Sequence, residues 1–292
     1  MSNVIELRNL QKHFPPEAVL KGVDLCVREH SVLGLLGVNA AGKTTLLRCA
    51  LGLFKPTGGE AIIYGGQAWD MPPEVKNKIG FVPQVPDLFD WMTAEQMLKY
   101  NAAFYKNWNQ KYAMELLFKW EVVASMRIKN MSEGQKQRLA IVLAMGHSPD
   151  LLVLDEPVAA LDPLARREFI RQLIELNADE GKTILFSTHI VSDLERIAAE
   201  VAIIKDGQVH YQGEIDTLKE QIVRLKILAK EDLPANLPID KQLSVSISGR
   251  VASVCVQDFD SSRLESLKRE LKAEIEIQQL GLEDIFLELN RK

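Results

Sequence analysis

Cysteine is scarce: Cys26, Cys49 and Cys255 are the only 3 in 292 residues. An odd, scattered set excludes a disulfide frame or a clustered metal site and suits buried thiols in a reducing cytosol. Long apolar runs are missing too. None approaches the roughly 20 residues that span a bilayer, so no membrane span is expected. The start, Met1-Ser2-Asn3-Val4-Ile5-Glu6, lacks the basic opening and apolar core of a signal peptide. Basic excess is also absent, with 35 Lys and Arg against 40 Asp and Glu and a net charge of -5. That argues against a general nucleic-acid binder, and no nucleic-acid partner is expected. There is no internal repeat and no low-complexity tract. What remains is ordinary globular composition, 47% hydrophobic and 26% charged, long enough for one large domain and a small one.

Against this background one stretch stands out: Gly37-Val38-Asn39-Ala40-Ala41-Gly42-Lys43-Thr44-Thr45. It fits G-x-x-x-x-G-K-[ST], the phosphate-binding P-loop. The apolar run Ser31–Leu36 before it suits a strand buried on both faces, and Thr44–Leu53 after it reads as a short helix. Successive backbone N–H groups of such a loop hold phosphate oxygens, helped by the helix N-terminus. Lys43 would reach the β- and γ-phosphates, and Thr44 would ligate Mg²⁺.

The rest of the chain alternates strands and helices, which implies a largely parallel sheet covered on both faces. Val4–Arg8 and Val23–Val27 read as strands, with Lys12–Pro16 as a loop. Glu60–Tyr64 and Ile79–Val82 are further strands. From Thr93 to Glu121 the spacing turns helical, as an insert, and Ser132–Gly146 is another helix with Ser132 as N-cap. Leu151–Leu154 and Thr183–Thr188 are buried strands; Pro163 opens a helix and Val191–Ala199 forms one. Asp206-Gly207 marks a hairpin between Val201–Lys205 and Gln208–Tyr211. Near Leu218 the character changes. A linker-like Glu231–Pro238 precedes strands near Leu243–Ile247, Val251–Val256 and Glu274–Gln278, with helices at Ser261–Lys272 and Leu282–Leu289. The expected organisation is a cassette over 1–217, with a helical subdomain at about 85–146, and a small α+β accessory domain over 218–292.

Further chemistry is arranged in order after the P-loop. The apolar strand Leu151–Leu154 ends in Asp155-Glu156, and ligands in open α/β sheets sit at the carboxyl ends of strands. Asp155 suits Mg²⁺, and Glu156 suits polarisation of a water attacking the γ-phosphate. Ser132-Glu133-Gly134-Gln135 opens a helix and forms a second anion site. A second site in a chain with one P-loop suggests that two chains share each nucleotide.

Over about Val4–Thr217 the sequence resembles the ATP-binding subunit of an ABC transporter. The resemblance implies a P-loop NTPase cassette of α/β class, with a helical insert and an antiparallel β edge, that binds ATP and Mg²⁺ and hydrolyses ATP. It implies that Ser132, Gly134 and Gln135 bind the γ-phosphate of a partner subunit, in a homodimer or a heterodimer with a second ATP-binding subunit. Gln84 matches the glutamine that contacts Mg²⁺ and senses the γ-phosphate, or is otherwise a loop amide. Ala160-Leu161-Asp162 matches the D-loop, which couples the two sites. His189 matches the switch histidine, or is otherwise structural. Phe14 is placed like the aromatic that stacks on adenine, or is otherwise core. With Gly37, Asn39, Ala40, Ala41, Gly42, Lys43, Thr44 and Thr45 of the P-loop these form the expected ATP site. Lys43, Glu156 and His189 are its catalytic groups, and Thr44, Gln84 and Asp155 its Mg²⁺ ligands.

Two residues depart from the family pattern. Ala40 replaces a Gly and strains the loop by about 1 kcal/mol if φ is positive there. Glu133 replaces the first Gly of S-G-G-Q, and its carboxylate would repel a phosphate unless it points to solvent. The resemblance also implies a separate transmembrane permease, docked after Gln84 where Phe89 and Trp91 either line a groove or pack as local core. The protein is then cytoplasmic and peripheral on the inner face of the membrane. The tail, Leu282-Glu283-Asp284-Ile285-Phe286-Leu287, is similar to extensions of bacterial exporter ATPases and favours export. The alternatives are a soluble ABC-type ATPase acting on ribosomes or DNA and, against intact Glu156, a binding-only subunit.

Overall fold

The computed structural model describes residues 2–158 and 161–291, the side chains of 179 and 180 excepted. Ala160 of the expected D-loop lies outside them. Two units divide the chain, Met1–Gln212 and Gly213–Lys292.

The first unit opens with a long hairpin, β1 (Asn3–Phe14) and β2 (Glu17–Arg28). Lys12–Phe14 therefore lie in the strand, not in a loop. The ladder runs out to Phe14 opposite Glu17, and only Pro15-Pro16, which have no N–H to donate, form the turn. β3 (Val32–Leu36) leads through the P-loop to α1 (Lys43–Ala50). That helix is shorter than its periodicity predicts. Gly52 at φ 66 ends it, with the Leu53 and Phe54 amides turned back onto the Arg48 carbonyl. β4 (Gly58–Ile63) and β5 (Gly66–Gln67) complete an antiparallel sheet of order β2-β1-β4-β5.

A short α2 (Pro73–Lys76) and β6 (Ile79–Val82) precede the helical insert. The insert's first stretch is two helices, α3 (Ala94–Ala102) and α4 (Gln110–Lys119), each capped by a side chain, Thr93 and Asn109. The break between them is held by tertiary contacts that no local signal encodes. Asn107 donates to the His147 carbonyl, and the Tyr105 ring stacks on the His147 ring at 4.0 Å. α5 (Glu133–Met145), β7 (Leu151–Asp155), α6 (Pro163–Glu180), β8 (Thr183–Thr188), α7 (Val191–Ile197), β9 (Glu200–Lys205) and β10 (Gln208–Glu214) follow. They build a six-stranded sheet of order β10-β9-β3-β8-β7-β6. Its neighbours β9, β3, β8, β7 and β6 run parallel. β7 and β8 are buried at every position, as a parallel strand covered on both faces must be. Leu46, Leu47, Cys49 and Ala50 of α1 share one core with Ile5 and Leu7 of β1, Leu33 and Leu35 of β3, and Val153 of β7. The P-loop helix is thus packed against strands of both sheets.

The second unit adds α8 (Ile215–Gln221), β11 (Ile222–Ala229), β12 (Gln242–Ser248), β13 (Val251–Gln257), α9 (Leu264–Glu270), β14 (Ala273–Gln279) and α10 (Leu282–Asn290). Its antiparallel order is β12-β13-β11-β14. β11 is an interior strand that the sequence reading passed over, although Val223, Leu225, Ile227 and Ala229 alternate into the core. Residues 261–263 form a 3₁₀ turn, so the helix expected from Ser261 begins at Leu264.

The P-loop backbone has two left-handed residues, Ala40 at φ 64 and Gly42 at φ 104. Gly42 adopts that region without penalty; for Ala40 the Cβ clash costs roughly 1–2 kcal/mol. Replacing Ala40 by Gly returns part of this as unfolded-chain entropy, about 0.4–1 kcal/mol. Ala40→Gly should therefore raise the melting temperature by about 1–3 °C in a thermal scan. An unchanged or lower value would mean that the Ala40 methyl is held favourably enough to offset the strain.

Candidate functional site

The carboxyl ends of β3, β7 and β8 converge. Asp155 sits beside Ser187 in the parallel ladder, and Leu36 beside Thr188. The loop after β3 starts at Gly37, where a Cβ would come 2.7 Å from the Ile204 carbonyl oxygen, so only glycine lets the chain leave the sheet there. From this loop Lys43 turns back. Its Nζ donates to the Gly37 carbonyl at 2.7 Å and the Val38 carbonyl at 3.2 Å, and lies 3.1 Å from Glu156 Oε1. Both side chains are almost wholly buried.

Glu156 follows β7 with φ 49, a left-handed turn off the strand end. Its Oε2 lies 2.9 Å from His189 Nδ1. A carboxylate can only accept, so this geometry puts the proton on Nδ1. Ser187 links the neighbours: its hydroxyl donates to Asp155 Oδ1 at 2.7 Å and accepts from the Glu156 amide at 3.0 Å. The other Asp155 oxygen, Oδ2, is buried without a hydrogen-bond partner. A fully buried carboxylate oxygen left unpaired is costly, and here it fits a cation.

Lys43 and Glu156 reach a cleft of about 460 Å³, whose lining does not include Asp155 or His189. Asn39, Ala40, Ala41, Gly42, Lys43, Thr44, Thr45, Gln84 and Glu156 line it. Glu17, Ala18, Val19 and Lys21 of β2 and the Asp206-Gly207 turn form its remaining wall. The sequence reading used Asp206-Gly207 only as a hairpin signal. Its second role comes from the Lys21 amide, which donates to the Gly207 carbonyl and brings the turn against β2. Ser187 is not marked by any local sequence motif. Its place beside Asp155 depends on which strands pair. Phe14 does not line the cleft. It is half exposed, edge-to-face with Phe54 at 5.5 Å between centroids, with Lys12 Nζ 4.8 Å from its ring centre.

The residues expected to form a second anion site lie at the start of α5. The Ser132 hydroxyl accepts from the Gln135 amide at 3.2 Å, and Gln135 Oε1 accepts from the Ser132 amide at 3.0 Å, a reciprocal capping box. Glu133 is exposed and 3.1 Å from Lys136 Nζ, so its charge is turned to solvent and matched. Asp162 caps α6 by accepting from the Leu164 and Ala165 amides at 2.9 and 3.0 Å. Those bonds, that from Ala165 foremost, hold its carboxyl below the usual range. Phe89 and Trp91 are exposed and stack at 5.8 Å, and Tyr100 meets Phe89 and Phe104 edge-to-face at 5.2 Å each. Neither Phe89 nor Trp91 is core. Among the described residues no helix is long and apolar enough to cross a membrane.

Comparison with known proteins places this geometry. The family described as ABC transporter matches residues 20–159. An uncharacterized ABC transporter ATP-binding protein of Bacillus subtilis (strain 168), YxlF, is 35% identical over 75% of this chain and 73% of its own length. Nod factor export ATP-binding protein I of Burkholderia lata is 32% identical over 98% of this chain and 96% of its own. Among solved structures, the ATP-binding subunit of an ABC transporter superposes with TM-score 0.69 at 29% identity, over 74% of this chain and 92% of that one. A dimeric ATP-binding cassette in a post-hydrolysis state, bound to ADP and Pi, gives 0.66 at 28% identity, over 72% and 98%. With relatives at these identities, this chain, a P-loop NTPase cassette, belongs to the ATP-hydrolysing ATP-binding subunits of ABC transporters.

Proposed function

We propose that this chain binds ATP with Mg²⁺ at the cleft, hydrolyses it between two such subunits, and drives a separate transmembrane permease for export. The observation that carries this reading is the line Lys43–Glu156–His189 beside the P-loop, with Lys43 and Glu156 buried, His189 exposed, and contacts of 3.1 and 2.9 Å. The P-loop amides and Lys43 bind the β- and γ-phosphates. Thr44, Gln84 and Asp155 would hold Mg²⁺, which supplies neutralisation of charge on the phosphates. Asp155 Oδ2 has the free lone pairs for it. Phosphate oxygens compete with Glu156 for Lys43, and a Glu156 released from that pairing takes a proton from the attacking water. His189, steadied at Nδ1 by Glu156, is the residue we assign to the γ-phosphate, which it holds through a proton on Nε2. Water adds at phosphorus as the bond to ADP breaks, giving ADP and inorganic phosphate.

Ser132, Gly134 and Gln135 close the site from a second subunit. With Glu133 paired to Lys136, the departure from S-G-G-Q adds no unmatched charge there. Phe14 stacks on the base, a role that requires its ring to leave the Phe54 edge. The exposed Phe89, Trp91, Tyr100 and Phe104 receive the permease, which holds the protein on the cytoplasmic face of the membrane. Similarity along nearly the whole chain to a Nod factor export subunit favours export. The second unit, as an accessory domain, then serves dimer contact or regulation.

Three variants test this reading. Lys43→Ala should abolish ATP turnover in a steady-state assay. Glu156→Gln should keep ATP binding while slowing hydrolysis by about 10²–10⁴-fold, the usual worth of a general base. Saturating ATP should then trap a dimer on size exclusion; a monomer there would count against the shared site. Replacing Phe89 and Trp91 together by Ala should leave folding and basal turnover intact. Buried interface aromatics are commonly worth about 2 kcal/mol or more each, so capture of the permease should drop sharply. Wild-type capture would place the docking surface elsewhere.

A further inference from the structure

Behind His189 lies a pair of opposite charges that the reaction does not use directly. Asp193 is on the first turn of α7, four residues after His189, and is buried. Arg166 is on the first turn of α6, four residues after Asp162. Arg166 Nε and Asp193 Oδ2 face each other at 3.8 Å. Neither atom has any hydrogen-bond partner, and both are buried. A separation of 3.8 Å is an ion pair but not a hydrogen bond. Burial pushes the Asp193 carboxyl up; Arg166 is the foremost charge pulling it back down, followed by Arg196 and His189. The two helices thus share a charge contact whose facing atoms are both buried, where each partner depends on the other.

The position of this contact gives it a consequence. α7 begins two residues beyond His189, so a rotation of α7 about its axis displaces the imidazole. α6 is capped by Asp162, so it is fixed at the same end. We infer that Arg166 and Asp193 form a strut that positions His189, and through it Glu156, for hydrolysis. Both are positioning residues; neither reaches the cleft lining. The inference rests on the role proposed for His189.

Phosphate release by the full-length protein tests it. Asp193→Asn and Arg166→Gln should each lower kcat about tenfold or more, the scale of a small misplacement of a reacting group. KM for ATP should stay within about twofold, because the P-loop contacts are untouched. Arg166→Lys keeps the charge and should recover most of kcat. If the strut acts through His189, then Asp193→Asn combined with His189→Ala should be no slower than His189→Ala alone. Losses that multiply in the double variant would overturn the strut, as would wild-type kcat in both single variants. A His189→Ala variant with wild-type kcat would instead overturn the role of His189, and the strut with it. Asn preserves the side-chain volume of Asp, so folded Asp193→Asn protein is expected; if it does not fold, the Arg166→Gln and Arg166→Lys pair decides the question.

Discussion

A buried ammonium must be matched, and the match for Lys43 organises the site. Stripping an ion of water costs several kcal/mol even after relaxation, and only good geometry repays it. Lys43 meets that demand with two P-loop carbonyls and the Glu156 carboxylate. The contact ties the loop after β3 to the end of β7, two segments more than a hundred residues apart in sequence. Removing one partner alone leaves an uncompensated buried charge, at about 3–5 kcal/mol. The arrangement is therefore also a reason for anion affinity. In the proposed mechanism, a phosphate that enters competes for Lys43 and leaves Glu156 to accept a proton.

The parallel sheet makes this convergence possible. Gly37, Asp155, Glu156, Ser187 and His189 each sit at or just past a carboxyl strand end, and the β3-β8-β7 register sets their heights. Buried strands fix that register firmly, since every side chain is committed to one face. Strain then appears where the strands stop: Ala40 and Glu156 are both left-handed. Residues held in such regions persist only where the surroundings over-determine them, and they cluster at working sites. Here the Ser187 hydroxyl on the Glu156 amide and the Lys43 ammonium on its carboxylate supply that determination.

How much of this the sequence disclosed follows from the range of each interaction. The P-loop, the Asp155-Glu156 strand end and the Ser132 cap are local patterns, complete within a few residues, and they were legible. β11 was legible too, through its period-2 apolar set, but it was masked by the change of character near Leu218. Other features depend on contacts across the fold. Ser187 joins the site only because β8 lies beside β7. Asp206-Gly207 walls the cleft only because Gly207 bonds to Lys21 of β2. The break between α3 and α4 is set by His147 and Gly146, some 40 residues away, where a Cβ on Gly146 would strike the Trp108 ring at 2.4 Å. No window of local sequence contains those partners.

The start of α5 shows how a departure from the family pattern is accommodated. A carboxylate in the first turn of a helix is favoured by the N-terminal dipole, so Glu133 stabilises its own helix. Its pairing with Lys136, one turn on, keeps it on the solvent side. The Ser132 hydroxyl and the Gln135 amide, meanwhile, are committed to each other's backbone. That commitment leaves the Ser132 hydroxyl proton and the Gln135 NH₂ to meet a phosphate. An anion at this helix start would therefore meet donors already fixed in place by the cap, so binding need not first order them. The capping box and the proposed trans site thus use different hydrogen-bonding capacities of the same two side chains, and one sequence can serve both.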